Sequence, residues 1–268
     1  MDSFEKMAET VVGAVSRART KILDVMAQPF DVEYKEDRSP VTAADMASQE
    51  VLVRVLQDSY PDIPIISEEK AAEPYAVRRQ WDQLWLLDPL DGTKEFVRRN
   101  GEFTVNVALI VGERPVIGVL DWPQGGITYV AVAGAGSYRL SGGHTARIHT
   151  RPLSSPCRAI ISRSHRQSEV DWLDSAGLGD HSLQLMGSAL KFCRIAEGAA
   201  DIYPRLTPNM EWDSAAGQLL IEEAGGKVVD FAGEPLHYNK QDLHNGGFIA
   251  VGEWETWHQY FRGHNLLQ

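Results

Sequence analysis

The stretch Trp85-Leu86-Leu87-Asp88-Pro89-Leu90-Asp91-Gly92-Thr93-Lys94-Glu95-Phe96 sets two carboxylates at the end of an apolar run, followed at once by Gly-Thr. Leu84 to Leu87 reads as a buried strand, and Pro89 is expected to stop it from continuing as a central one. Gly92 permits a tight turn, and Thr93 can cap or open a short helix after it. Carboxylates at such a strand mouth suit hard divalent cations, and N–H groups at a helix start suit a phosphate. The pattern points to metal-dependent phosphate chemistry, although Asp-Gly is also a common turn signal. An EF-hand loop needs oxygen donors at alternate positions, which Asp88-Pro89-Leu90-Asp91 does not supply. Phosphatases that form an aspartyl-phosphate place their aspartates two apart, and here the spacing is three. Further metal ligands must therefore come from elsewhere in the chain.

Several elements could bring them. Phe4, Met7, Val11, Ala14, Val15, Ala18 and Ile22 recur at three-and-four spacing and predict a long amphipathic helix. Residues 28–40 break that period and read as a connector. A second helix follows, with Leu52, Val55 and Leu56 on one face, Thr42 as N-cap and Asp45 in the first turn. Capping alone explains Asp45. Ile63 to Ile66 is a short strand ending in Ser67-Glu68-Glu69, whose acids read as a solvated strand end. Residues 70–83 are polar, acidic and turn-rich, and are expected to be mobile.

Phe103–Val111, Val116–Trp122 and Ile127–Val132 predict antiparallel strands. Gly134-Ala135-Gly136-Ser137-Tyr138-Arg139 lacks the third glycine of a dinucleotide fingerprint and reads as turn chemistry. Ser154-Ser155-Pro156 marks a boundary between two lobes, 1–153 and 154–268, of one domain. Beyond it, strands at Ala159–Ser162, Leu183–Met186 and Asp201–Arg205 alternate with a helix opened by Gly187-Ser188-Ala189-Leu190-Lys191. A last helix begins at Glu211-Trp212-Asp213, where Asp213 serves as an ordinary helix-start carboxylate, and closes at Gly225-Gly226.

With 268 residues, 43% hydrophobic and 24% charged, the chain has the composition of a soluble globular protein with a substantial core. A net charge of −11 argues against a partner that is a nucleic-acid polymer or an anionic membrane. It leaves small phosphorylated substrates open, because bound cations reverse the local field. No apolar run approaches the roughly 20 residues of a membrane span, and the N-terminus shows no signal peptide. Two cysteines, Cys157 and Cys193, fit buried thiols in a reducing cytoplasm.

Ser67-Glu68-Glu69, Asp88-Pro89-Leu90-Asp91-Gly92-Thr93 and Trp212-Asp213-Ser214-Ala215-Ala216, in this order, resemble the lithium-sensitive, Mg2+-dependent phosphatases of the inositol monophosphatase superfamily. The resemblance spans Pro40 to Gly226. Lys94-Glu95-Phe96, Arg99 to Asn106, Ser162-Arg163-Ser164-His165 and Ser188-Ala189-Leu190-Lys191-Phe192-Cys193 are similar to the bacterial 3'(2'),5'-bisphosphate nucleotidases within it. That branch usually has two serines before its lysine segment, and Ala189 replaces one here.

The resemblance implies an α/β (α+β) fold, a layered α-β-α-β-α sandwich of the inositol monophosphatase and fructose-1,6-bisphosphatase type. It implies that Glu68, Asp88, Asp91, Asp213 and the Leu90 carbonyl hold roughly two or three Mg2+ ions, which favour oxygen donors. It further implies that Thr93, bonded to Asp45, orients a metal-activated water, with Glu69 assisting in the outer shell. Glu68, Leu90, Asp91, Asp213 and the Gly92 and Thr93 N–H groups would then face the departing phosphate, with Lys94 beside them. Lys191 and Arg205 are expected at a second phosphate, and His165 and Ser188 at ribose or base.

The implied reaction removes the 3'-phosphate of adenosine 3',5'-bisphosphate to give AMP, clearing a by-product of sulfate assimilation, with 3'-phosphoadenylylsulfate as a further substrate. The alternatives are an inositol-1-phosphate or fructose-1,6-bisphosphate phosphatase with the same metal site, and a non-catalytic metal- or nucleotide-sensing module. The small nucleotide is the one partner implied. The oligomeric state, monomer or homodimer, and peripheral membrane association are left open.

Overall fold

The computed structural model describes residues 2–35, 39–163, 166–176, 178 and 180–264, so His165 lies outside the described residues. Helix α1 (Phe4–Met26) starts at Ser3, whose hydroxyl caps it, and buries Met7, Val11, Ala14, Val15, Ala18 and Ile22 as its spacing predicts. The supposed connector instead holds an antiparallel pair, β1 (Val32–Tyr34) and β2 (Pro40–Thr42). Three-residue strands are too short to leave a periodic signal in sequence. Helix α2 (Ala43–Ser59) then opens at Thr42.

Strand β3 (Ile65–Ser67) is followed by a single turn of helix, α3 (Tyr75–Arg78), within the stretch expected to be mobile. Arg78 ties that stretch down: it is buried and donates to Asn239 and to the carbonyls of Lys240 and Gln241.

Strand β4 (Gln83–Asp91) is buried on both faces, which is why it reads as a continuous apolar run. Its Trp85 and Leu87 face α1 and α2, while Leu84 and Leu86 face the opposite core. Contrary to expectation, the strand does not stop before Pro89. It continues to Asp91 through a bulge between Asp88 and Asp91, with β5 (Thr104–Val111) on one side. On the other side β3 pairs only as far as Leu87, so no ladder partner there is denied an N–H by the proline. Helix α4 (Thr93–Val97) springs directly from the strand end.

The sheet continues through β6 (Arg114–Trp122), β7 (Ile127–Val132), β8 (Gly136–Ser141) and β9 (His144–Ile148) as a meander. Its seven strands run in the order β3-β4-β5-β6-β7-β8-β9, with only β3 and β4 parallel. The glycine-rich stretch at 134–139 is a tight turn with positive φ at Gly134 and Gly136, opening into β8.

The second half contributes β10 (Cys157–Ser162), α5 (Arg166–Ser175), β11 (His181–Met186), α6 (Leu190–Ala196), β12 (Ile202–Arg205) and the short β13 (Asn209–Met210). Helix α7 (Glu211–Glu223), β14 (Lys227–Asp230), β15 (His244–Asn245), β16 (Phe248–Val251) and α8 (Trp254–His264) complete it. A five-stranded mixed sheet runs β11-β10-β12-β16-β14, and β13 pairs with β15. Helices α1 and α2 cover one face of the large sheet. Helices α6 and α7 fill the space between the sheets, and α5 and α8 cover the outer face of the second. The α-β-α-β-α layering expected from the resemblance is therefore present. No helix among the described residues is long and apolar enough to cross a membrane.

The central helix sits hard against the first sheet. A Cβ on Gly118 of β6 would lie 2.6 Å from the Ala216 carbonyl oxygen and 3.1 Å from its Cα, both backbone atoms of α7. Gly118→Ala is therefore expected to destabilise the protein by roughly 1–3 kcal/mol, the usual scale of overpacking. The measurement is a lowered urea midpoint at unchanged m-value; an unmoved midpoint would mean that α7 yields without strain.

Candidate active site

The bulge at the end of β4 aims several oxygens toward one cavity. Asp88 Oδ1 accepts from the Leu90 N–H at 3.0 Å, and Ser48 of α2 donates to the Pro89 carbonyl at 2.7 Å. These bonds pin the irregular backbone and leave the Leu90 carbonyl turned toward Thr93, whose Oγ1 lies 3.2 Å away. Gly92 makes the turn with φ +91°, a left-handed conformation that favours glycine, and is the N-cap of α4.

Two helix starts add the other acids. Asp45 and Asp213 each stand in the first turn of a helix and reach back to a backbone N–H, Thr42 at 2.8 Å and Met210 at 3.0 Å. Capping and site placement thus coincide. In each case the Oδ2 oxygen holds the helix start, and the Oδ1 of Asp45 takes the Thr93 hydroxyl. Glu68 lies just past β3, its N–H donating to the Leu87 carbonyl of β4 at 3.1 Å.

Glu68, Asp88, Leu90, Asp91, Gly92, Thr93 and Asp213 line one cavity of about 480 Å3, with Lys35, Met210, Trp212 and His244 at its walls. A second cavity of about 260 Å3 shares Ser39, Glu68, Asp91, Gly92 and Thr93 with the first and adds Lys94, Ser188, Lys191 and Arg205. The structure therefore gathers Glu68, Asp88, Asp91, Asp213 and most of the substrate-side candidates around two spaces that share part of their lining, while Asp45 and Glu69 line neither.

The electrostatics fit a cation site. Burial pushes the Asp88 carboxyl well above the usual carboxylate range, and the charges of Glu68, Asp91 and Asp213 push it further. Asp213 is raised well above that range by burial and then by Asp91 and Glu68. Asp91 and Glu68 are also raised, burial being the main cause, against the opposing pull of Lys191 on Asp91 and of Lys35 on Glu68. The donor set is all oxygen, as Mg2+ requires. Among the described residues no three such side chains form a ready-made cage.

Thr93 Oγ1 stands 3.1 Å from Asp45 Oδ1. Asp45 Oδ2 is taken by the Thr42 N–H and by the Thr42 hydroxyl at 2.7 Å. The carboxylate is thus locked on one side and open to Thr93 on the other. Burial raises Asp45 against these hydrogen bonds.

Lys191 is buried, and its Nζ donates to the Ser188 carbonyl at 2.6 Å and to Met186 at 3.3 Å, above the Tyr203 ring. Burial pushes it down to about 8, with Asp91 resisting the fall. Arg205 is anchored by the Thr207 carbonyl at 3.1 Å. Ala189, where a serine was expected, uses its backbone: its N–H donates to Asp91 Oδ2 at 2.6 Å.

Sequence reasoning missed several residues here. Lys35 bridges Glu68 at 2.9 Å and Glu69 at 2.7 Å, from a segment read only as a connector. Asn106 reaches Asp91 Oδ2 at 3.4 Å. Its place directly opposite Asp88 in the β4–β5 register would have exposed it, had the strand been extended one residue beyond Leu87. His244 arrives through the two-residue β13–β15 pairing, which leaves no signal in the sequence.

The model of the inositol monophosphatase family matches residues 3–262 of the chain. The chain is 44% identical over 224 residues to the 3'(2'),5'-bisphosphate nucleotidase CysQ of Escherichia coli O157:H7, covering 83% of this chain and 89% of that protein. It is 42% identical over 246 residues to the CysQ nucleotidase of Salmonella typhimurium LT2, covering 90% and 98%. The crystal structure of CysQ from Bacteroides thetaiotaomicron, described as a bacterial member of the inositol monophosphatase family, superposes with a TM-score of 0.82. Its identity is 39%, over 93% of this chain and 98% of that one.

Proposed function

Because the chain belongs to the inositol monophosphatase family, we propose that it is a metal-dependent 3'(2'),5'-bisphosphate nucleotidase that hydrolyses adenosine 3',5'-bisphosphate to AMP and phosphate. The observation that carries this reading is the pair of cavities that share Asp91, Gly92 and Thr93 in their linings. Acids that repel one another without cations lie at one end, and Lys191 and Arg205 lie at the other. A substrate with one phosphate to lose and a second to anchor needs that polarity.

The residues that would hold Mg2+ are Glu68, Asp88, Asp91, Asp213 and the Leu90 carbonyl, two or three ions being the proposed complement. When bound, the metal supplies charge neutralisation on the phosphate and a more acidic water. The protein's own part is orientation and proton handling. Thr93 commits its hydroxyl proton to Asp45 Oδ1, which leaves its oxygen lone pairs to accept from the attacking water. The proton leaving the water passes toward Thr93 Oγ1 and Asp45, whose raised proton affinity suits it as acceptor. Glu69 steadies the outer water shell from beside Lys35. The Gly92 and Thr93 N–H groups face the departing phosphate, with Lys94 beside them. Lys191 and Arg205 hold the 5'-phosphate, and Ser188 contacts the ribose. The proposed setting is cytoplasmic sulfur metabolism, with 3'-phosphoadenylylsulfate as a second substrate.

Phosphate release with Mg2+ from adenosine 3',5'-bisphosphate, inositol 1-phosphate and fructose 1,6-bisphosphate, at matched concentrations, tests the reading. The nucleotide is expected to be turned over with the highest kcat/KM. Preference for the inositol or sugar phosphate would keep the metal site and overturn the assignment of Lys191 and Arg205. No release from any of the three would favour a sensing role.

A further inference from the structure

One ionic clamp beside the site has no part in the steps above. Arg163, just beyond β10, turns its guanidinium onto Glu102, with Nη2 at 2.8 Å from each carboxylate oxygen and Nε at 3.3 Å from Oε2. Glu102 Oε2 also accepts from the Gly187 N–H at 2.8 Å. Two residues on, the Ala189 N–H donates to Asp91 Oδ2 at 2.6 Å. Ser188, between them, has φ +49°, a left-handed conformation that side-chain-bearing residues adopt only when their surroundings impose it. Two carboxylates from the first half of the chain therefore grip the N–H groups on either side of a strained serine from the second.

There is little slack around this turn. A Cβ on Gly187 would come within 2.7 Å of Glu95 Cγ and 2.9 Å of the Glu102 carbonyl oxygen. A Cβ on Gly92 would stand 3.2 Å from Ser188 Cβ. The turn that faces the departing phosphate and the turn at 187–189 are thus in direct contact. Lys191 takes its position from the same turn, through the Ser188 carbonyl.

We propose that Glu102, buttressed by Arg163, is a positioning residue. It fixes the 187–189 turn so that the Ala189 N–H orients Asp91 as a metal ligand and Lys191 faces the substrate. The substrate half of this statement rests on the nucleotide specificity in the proposed function; the metal half rests only on the metal site proposed there. Hydrogen bonds to a ligating carboxylate set its orientation, and losing such support weakens metal binding by about 10–100-fold. A stability role alone does not explain the arrangement, since partly exposed ion pairs such as this one contribute little to folding. The backbone of Glu102 is also held independently of its side chain, by Asn100 Oδ1 at 3.0 Å from its N–H.

Mg2+ binding measured by calorimetry on the full chain without substrate tests the proposal. Glu102→Ala is expected to bind Mg2+ about 10-fold or more weakly, with its metal-free melting temperature nearly unchanged. Glu102→Gln keeps an acceptor for the Gly187 N–H and is expected to recover most of the affinity. The Mg2+ concentration for half-maximal activity should move by the same factors. Wild-type affinity in Glu102→Ala, or equal weakening in Glu102→Gln, would overturn the proposal. Because the affinity is read without substrate, a wild-type protein indifferent to the bisphosphate would sink the proposed function and leave this test intact.

Discussion

Asp91→Asn is expected to leave the protein folded and to cut turnover by at least ~100-fold, the scale on which a metal ligand or its supporting shell is lost. The substitution is nearly isosteric, and the asparagine side-chain oxygen can still accept from the Ala189 N–H that now reaches Asp91 Oδ2 at 2.6 Å. The 187–189 turn therefore keeps its anchor, and only the charge disappears. Removing that charge also relieves Asp88 and Asp213, both of which Asp91 pushes toward protonation. The lost attraction to buried Lys191 offsets part of that relief, so the metal-free variant should melt close to the parent while losing activity at saturating Mg2+. Asp213→Asn is expected to behave alike, because its amide oxygen can go on accepting from the Met210 N–H. Steady-state rates beside thermal melts check both. Near-parental turnover would remove that residue from the metal set.

Burial made some of this site legible in the sequence and hid the rest. The run Leu84 to Leu87 announced a strand buried on both faces, but the two aspartates expected beyond its mouth lie within its last four residues, where they line the cavity. Helix α1 was readable because every third or fourth residue is apolar and one whole stripe is buried. Asp45 and Asp213 were found as helix-start acids, but their sequence context could not separate capping from site chemistry, since each does the first with one oxygen. Pro89 misled. A proline ends a strand only where a neighbour needs its N–H, and β3 has already stopped pairing by then. Lys35 escaped because its flanking strands have only three residues each. The Glu102–Arg163 pair is 61 residues apart in the chain and joins through tertiary structure alone. Charge pattern along a sequence carries no trace of such contacts.

The metal-free protein is expected to lose stability as pH rises, and Mg2+ is expected to restore progressively more of it. Asp88, Asp91, Asp213 and Glu68 all hold their protons to higher pH in the folded chain than in the unfolded one, burial being the first cause for each. A group whose folded value is raised stabilises the fold fully below its unfolded value, about pH 4 for a carboxyl, and loses that contribution as pH climbs through the raised value. Above that window the folded site carries buried negative charges that repel one another. A divalent cation removes the penalty by replacing the protons, so its binding tightens as they leave. Other buried acids, including Glu169 and Glu211, shift in the same direction but lie outside the cavity of the acidic cluster, so they tilt both curves alike. The informative quantity is therefore the difference between melting curves with and without Mg2+. That increment should grow as pH rises above the unfolded carboxyl value of about 4, reaching about 2.7 kcal/mol where Mg2+ stands at 100 times its dissociation constant. Asp213→Asn, with one fewer charge to neutralise, should show a shallower rise. An increment that ignores pH, or one unchanged by Asp213→Asn, would mean that the stabilising ion binds away from these four carboxylates.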